Sequence, residues 1–466
     1  MLIDLAILRE RIHGVILNKS AQGHEVEGAV EKLYDLPDSY DALAKFVTSL
    51  SELPMRSDWR YVEPEGINEI WAQSDPSRPT EAYKSVDLDD SSSRVEQAFL
   101  GSVAGWVLGK PIEVRLTGHE IKAALTKIGD WPLSDYISQD IKTVLPTVHR
   151  SFDETVREKI KFVAPDDDIN YTIMGMLILE EFGSNFNHEN IRELWIKHLP
   201  LDITFGPERS MLVKSGLESL GRMNLDSYGE TGGVASEEGG YKPTPFRGEN
   251  ALNQLLNPGD ELCGAAIRAD AYGYACPGYP QKAAEFAWMD ASFTHNRTGI
   301  YATMFLASAI SMAQISNDPM EIFNTALKFV PTKSRFYERI NICLELVSDA
   351  QSWEEGYKKI NDIYGIYGHC RIYQEIGMLI NTMKYAQDVG HGISIQVSQG
   401  ADTDSFGATA GSLLGAYFGP GYLDDKWLVP FNDDIHTGMA CFFERSLSKL
   451  AERMGKLPKN IFPTLS

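Results

Sequence analysis

The chain has 466 residues, 43% of them hydrophobic and 23% charged, a globular composition too apolar for a disordered polymer. Acids outnumber bases 65 to 43, and a formal net charge of −22 excludes a general affinity for nucleic acid or anionic membrane, both of which require a basic face. Five scattered cysteines with no CxxC pair read as reduced, structural thiols, not as a disulfide frame. Residues 1–93 come first and are polar. They carry helical patterns in SYDALAKFVTSLSEL and WRYVEPEGINEIWAQS and end in VDLDDSSS, where residues 89–93 serve as a linker or a helix entry. A mostly helical N-terminal extension is expected over 1–93, either free-standing or packed on the main domain of 94–466.

From Arg94 onward the apolar residues recur at three- and four-residue spacing. RVEQAFLGSVAGWVLG, INYTIMGMLILEEFG, PQKAAEFAWMDASF, GIYATMFLASAISMAQ, PMEIFNTALKFV and TDSFGATAGSLLGAYFG all predict helices, and alternating strand patterns are rare. An all-α main domain follows. Two stretches interrupt the rhythm. Residues 225–250, dense in glycine, serine and acid, predict a surface loop or a flap beside a cleft. IRADAYGYACPGYP predicts a tight irregular crossing. The start MLIDLAILRERIHG does not read as a signal peptide, and no window reaches the length of a membrane span, so a cytoplasmic protein is expected.

The chemistry concentrates at two helix entrances. Asp166, Asp167 and Asp168 stand directly before a long apolar helix, and Asp402-Thr403-Asp404-Ser405 repeats the layout. Aspartate is a favoured N-cap, and one acid per entrance needs no other explanation. Adjacent carboxylates repel, however, and carboxylate plus hydroxyl oxygens are the donors preferred by hard divalent cations. The two readings, capping and metal binding, stand side by side at this point. Glycines add a geometric hint: Gly101, Gly105 and Gly109 lie at four-residue intervals, as do Gly407, Gly411 and Gly415. Each interior glycine costs a helix about 0.5–1 kcal/mol relative to alanine, a cost that close backbone packing can offset. If these two helices cross, Glu113 lies near Asp402 and Asp404.

GSVAGWVLGKPIE, DDDINYT, CGAAIRADAYGYACPGYPQKAAEFAWMDASFTHNRTGIYATMF and QGADTDSFGATAGSLLGAYFG, in that order, resemble the ADP-ribosylglycohydrolase family over residues 94–419. The resemblance implies an all-α orthogonal helical bundle with two Mg2+ or Mn2+ ions at the base of a cleft. It implies hydrolysis of the α-glycosidic bond of an ADP-ribosyl group on a protein or small acceptor. By position, Asp166, Asp167, Asp168, Asp402, Asp404 and Ser405 would hold the metals. Glu113 would act as acid or base, with Asp167 also at the reacting centre, while Gly264, His295 and Trp106 would line the substrate cleft. Three positions depart from the family pattern. Trp106 stands where aspartate is usual, Asp166 where threonine is usual, and Ile169 where a second threonine often stands; the charge added at Asp166 should tighten metal binding. Hydrolysis of another α-riboside or nucleoside-like molecule, and non-catalytic binding of ADP-ribose, are the alternative readings. By residue type alone, His295 is as readily a structural histidine as a contact to phosphate or ribose.

Overall fold

The computed structural model describes residues 4–84, 86–222 and 256–465. The loop or flap expected at 225–250 lies outside the described residues. The regular structure is helical, as expected, and among the described residues β pairing is confined to isolated bridges such as Val163 with Ile435. No described helix is long and apolar enough to cross a membrane. The chain forms two compact units, one of residues 1–59 with 191–260 and one of residues 60–190 with 261–466.

In the smaller unit the polar N-terminal pattern resolves into helices Leu5–Ala21, Ala29–Asp35 and Tyr40–Leu50. Asp4 starts the first by accepting the Ala6 N–H at 2.8 Å. Ile12, Val15 and Ile16 bury against Leu33, Leu43, Phe46, Val47 and Leu50, the apolar stripe that the three- and four-residue spacing anticipates.

Residues 60–93 belong to the larger unit. Val62 donates to the Lys333 carbonyl at 3.0 Å, and Glu63 Oε1 accepts from the Arg335 backbone and Nε at 2.9 Å each. The stretch 89–93 is a helix entry: Asp87 caps helix Leu88–Gly109 by accepting the Asp89 N–H at 2.9 Å, and the helix runs through residue 94 unbroken. Helix Arg297–Ala313 is buried along nearly its whole length, so its sequence shows little polar face.

The glycine stripes fix the geometry at the centre. A Cβ added at Gly101 would stand 2.5 Å from the Gly411 carbonyl oxygen. One at Gly105 would overlap the Gly407 carbonyl, and one at Gly109 the Thr403 carbonyl. Helices Leu88–Gly109 and Thr403–Phe418 therefore run antiparallel in backbone-to-backbone contact, without side chains between them. Pairing in that sense brings the end of the first to the beginning of the second. The 3-10 turn Lys110–Ile112 and Glu113 thus lie beside residues 402–405.

Candidate active site

Three segments meet at this point. Asp166 is the N-cap of helix Asp167–Phe182 and accepts the Asp168 N–H at 3.3 Å, so the capping reading holds for that residue. Its other oxygen has a further use. Lys110 Nζ, itself buried, lies 2.8 Å from Asp166 Oδ2, 2.6 Å from Asp404 Oδ2 and 2.8 Å from Glu113 Oε2. One ammonium thus joins both acid clusters and the glutamate. Oxygen atoms of Asp166, Asp168 and Asp404 lie within 4.8 Å of one another, a grouping that could hold a metal ion. The Ser405 hydroxyl donates to Asp168 Oδ2 at 3.4 Å, while Asp168 Oδ1 and Asp404 Oδ1 are buried with no hydrogen-bond donor. Asp167, the first residue of its helix, shares this acid environment.

Burial and like charge govern the proton affinities. Burial, with Asp404 adding to it, pushes the Glu113 carboxyl up to about 7 against the pull of Lys110. Burial also drives Asp167 and Asp168 well above the ordinary carboxylate range, joined by the neighbouring aspartates. Asp404 goes the other way. Burial opposes its charge, but Lys110 outweighs it and draws the carboxyl down to about 2. His149 Nε2 sits 3.5 Å from Glu113 Oε2, and burial and Lys110 lower its imidazole to about 4, leaving it neutral.

Asp402 behaves differently from Asp166. It occupies the N-cap of helix Thr403–Phe418 but makes no capping hydrogen bond. Its Oδ2 instead accepts from two thiols, Cys263 Sγ and Cys370 Sγ, each at 3.3 Å. Oxygens of Asp402 and Glu113 and a ring nitrogen of His369 also group within 4.8 Å. His369 Nε2 lies 4.0 Å from Glu113 Oε1, and the residue borders a cavity of about 360 Å3 lined by Arg115, Tyr357, Tyr367, Gln374 and Ala401.

Glu113, Asp166, Asp167, Asp168, Asp402, Asp404 and Ser405 come together. Trp106 is fully enclosed, its ring 5.9 Å from the Lys110 ammonium. His295 is buried in another network, 2.7 Å from the Thr294 hydroxyl, which in turn accepts from Arg268 at 2.8 Å. The Gly264 carbonyl accepts from the same arginine at 3.0 Å. The charge added at Asp166 is met by Lys110 inside the chain, a pairing absent from the sequence reading. Lys110 was legible in principle: it stands three residues before Glu113 in GKPIE, a spacing that puts both side chains on one side of a turn. Cys263, His369 and Cys370 carried no comparable signal, because they come from distant segments.

A solved structure described as an ADP-ribosylglycohydrolase-related protein complex is similar to the chain at 16% identity, covering 80% of this chain and 99% of that one, with a TM-score of 0.47. No curated protein matches the sequence significantly. The family model for ADP-ribosylglycohydrolases matches residues 87–460, four-fifths of the sequence, and the chain belongs to the ADP-ribosylglycohydrolase family, as a hydrolase of that type.

Proposed function

We propose that the chain hydrolyses the α-glycosidic bond, N- or O-linked, between an ADP-ribosyl group and a protein or small-molecule acceptor. The observation that carries this reading is the position of Glu113, joined through Lys110 to carboxylates from both helix entrances in a member of a glycohydrolase family. Cleavage of such a bond passes through an oxocarbenium-like state, which needs a proton for the leaving atom and a nucleophile on the other face. Glu113, titrating at about 7, holds its proton part of the time near neutrality. It can hand that proton to the acceptor atom or take one from the attacking water. Lys110 keeps Asp404 ionised near Glu113. The cavity beside His369 falls within the volume range of small-ligand sites, and Arg115 at its edge offers a local cation for a diphosphate in an otherwise acidic protein.

Two Mg2+ or Mn2+ ions are the expectation for such a site, and Lys110, which engages Asp166 Oδ2 and Asp404 Oδ2, takes up part of the oxygen set that would hold them. Asp168 Oδ1 and Asp404 Oδ1, buried without a donor and near the Ser405 hydroxyl, are the oxygens that would hold a hard cation. Such an ion, when bound, supplies charge stabilisation and lowers the pKa of its water. The test is release of free ADP-ribose from arginine-linked and serine-linked substrates, with Mg2+ or Mn2+ and then with chelator. Release that is lost in Glu113→Gln is expected. Absence of release from either substrate, in folded and cation-loaded protein, would overturn the proposal.

A further inference from the structure

The Asp402 carboxylate is unusual for a helix N-cap: it caps nothing and faces two sulfur atoms. Ligand atoms of Cys263, Cys370 and Asp402 lie within 4.8 Å of one another, and the carboxylate oxygen is 3.3 Å from each sulfur. Three separate segments supply them. Cys263 opens the 3-10 helix Cys263–Arg268, Cys370 lies ahead of helix Tyr373–Tyr385, and Asp402 precedes helix Thr403–Phe418. The Cys263 N–H donates to the Cys370 carbonyl at 3.2 Å and fastens the first two segments together. Glu375 accepts the Cys370 and Ile372 N–H groups at 2.7 Å each and holds the Cys370 turn in place. Cys370 and Ala401 both sit in the left-handed region, at φ 61° and 66°, so the backbone bears strain on either flank of the cluster.

The donor set differs in kind from the oxygen cluster around Lys110. Two thiolates and a carboxylate suit zinc and its thiophilic neighbours, whereas Mg2+ and Mn2+ prefer oxygen throughout. With Zn–S near 2.3 Å and Zn–O near 2.0–2.2 Å, a tetrahedral ion spaces its sulfur and oxygen ligands roughly 3.5 Å apart, close to the separations found. A ring nitrogen of His369 groups with Asp402 and Glu113 in a separate set that shares the aspartate, which makes it a candidate for the fourth ligand. We propose that Cys263, Cys370 and Asp402 form a three-ligand site for a thiophilic divalent cation of the zinc class, with His369 or solvent in the fourth position. Binding releases the thiol protons to solvent and involves no change of oxidation state. The site does not depend on the hydrolase reading.

The experiment uses the full chain, purified under reducing conditions without an affinity tag, with metal content measured per chain and Co2+ as the optical probe. One zinc-class ion per chain is expected, together with thiolate-to-cobalt charge-transfer absorption after exchange. Affinity should fall at least tenfold in Cys263→Ser, Cys370→Ser and Asp402→Asn, and stay unchanged in Cys441→Ser, whose thiol is exposed. Circular dichroism of each variant separates loss of metal from loss of fold, and the three ligand variants are judged together so that one misfolded variant decides nothing. Wild-type zinc content in both Cys263→Ser and Cys370→Ser, a cobalt adduct without thiolate absorption, or two free thiols that bind no zinc would each overturn the proposal. Metal counting needs no turnover, so an inactive protein that holds zinc would count against the hydrolase reading alone.

Discussion

Gly101→Ala tests whether the glycine stripes hold the active site together. The added methyl carbon would stand 2.5 Å from the Gly411 carbonyl oxygen, 3.1 Å from the Gly411 carbonyl carbon and 3.1 Å from Val389 Cγ1. An ordinary contact of this kind is about 3.4 Å, so the helices must part by close to 1 Å, since a backbone carbonyl has no rotamer to change. Overpacking of this sort costs roughly 1–3 kcal/mol, and the backbone partner puts this case in the upper half. Alanine returns about 0.5–1 kcal/mol through helix propensity. The net expectation is a loss of about 2 kcal/mol, measured by urea unfolding followed by circular dichroism. Val389→Ala in the same background should not restore it, because the limiting contact is main chain. Unchanged or increased stability in Gly101→Ala would refute the close-packing argument. Rescue by Val389→Ala would move the clash from backbone to side chain.

Three further outcomes follow from the same geometry. Glu113→Gln should leave the fold intact and lower ADP-ribose release by at least about a hundredfold, the scale of general acid–base catalysis, read as kcat on arginine- and serine-linked substrates. Lys110→Met removes the ammonium from three carboxylates and should cost about 3 kcal/mol or more; Mn2+ should raise its Tm by more than it raises that of the wild type. Asp270 is buried between the central helices, and burial pushes its carboxyl up to about 7 although Ser412, Tyr274 and Ser102 donate to it. The folded state therefore keeps a proton that the unfolded chain releases near pH 4. The contribution of Asp270 is full below pH 4 and is lost as pH rises to 7. Between pH 5 and 8 the wild type should lose about 2–3 kcal/mol relative to Asp270→Asn, and parallel unfolding curves for the two would refute the assignment.

The helices were legible because their apolar stripes repeat at the helical period, and the glycine stripes announced a close crossing because nothing else offsets six interior glycines. That crossing carried Glu113 to the second acid cluster, as expected. What the spacing concealed was the pairing of charges. Asp166 is one residue from Asp167 in the sequence, but its decisive partner, Lys110, is 56 positions earlier and meets it only because the two helix ends converge. The thiols were hidden for a similar reason. Cys263 and Cys370 are separated by more than a hundred residues, and neither lies in a motif whose spacing specifies a ligand. The division of the chain was obscured because residues 191–260 join the N-terminal 59 residues, a long-range association to which no local pattern points.

The charge balance of the site leads one step further. Glu113, Asp166, Asp168, Asp402 and Asp404 gather in overlapping groups, and Lys110 pairs directly with three of them. Five carboxylates cannot all ionise there, because burial without compensation costs several kcal/mol per charge. Protons can neutralise some of them, and the raised affinities of Glu113, Asp168 and Asp402 express that tendency. Protonation alone leaves a poor solution: Asp168 Oδ1 and Asp404 Oδ1 still face no donor, and Asp402 still faces two thiols that compete with it for protons. A cation at the oxygens and another at the sulfurs would each replace protons with a charge that satisfies several donors at once. The two places are served by different cations: Lys110 supplies charge to the oxygen cluster, and His369, whose imidazole Cys370 holds above its ordinary proton affinity against the effect of burial, supplies it beside the thiols. What separates the two places is donor softness: thiolates hold a zinc-class ion more firmly than carboxylates hold Mg2+ or Mn2+, so the sulfur side is where metal should be retained longest during chelation.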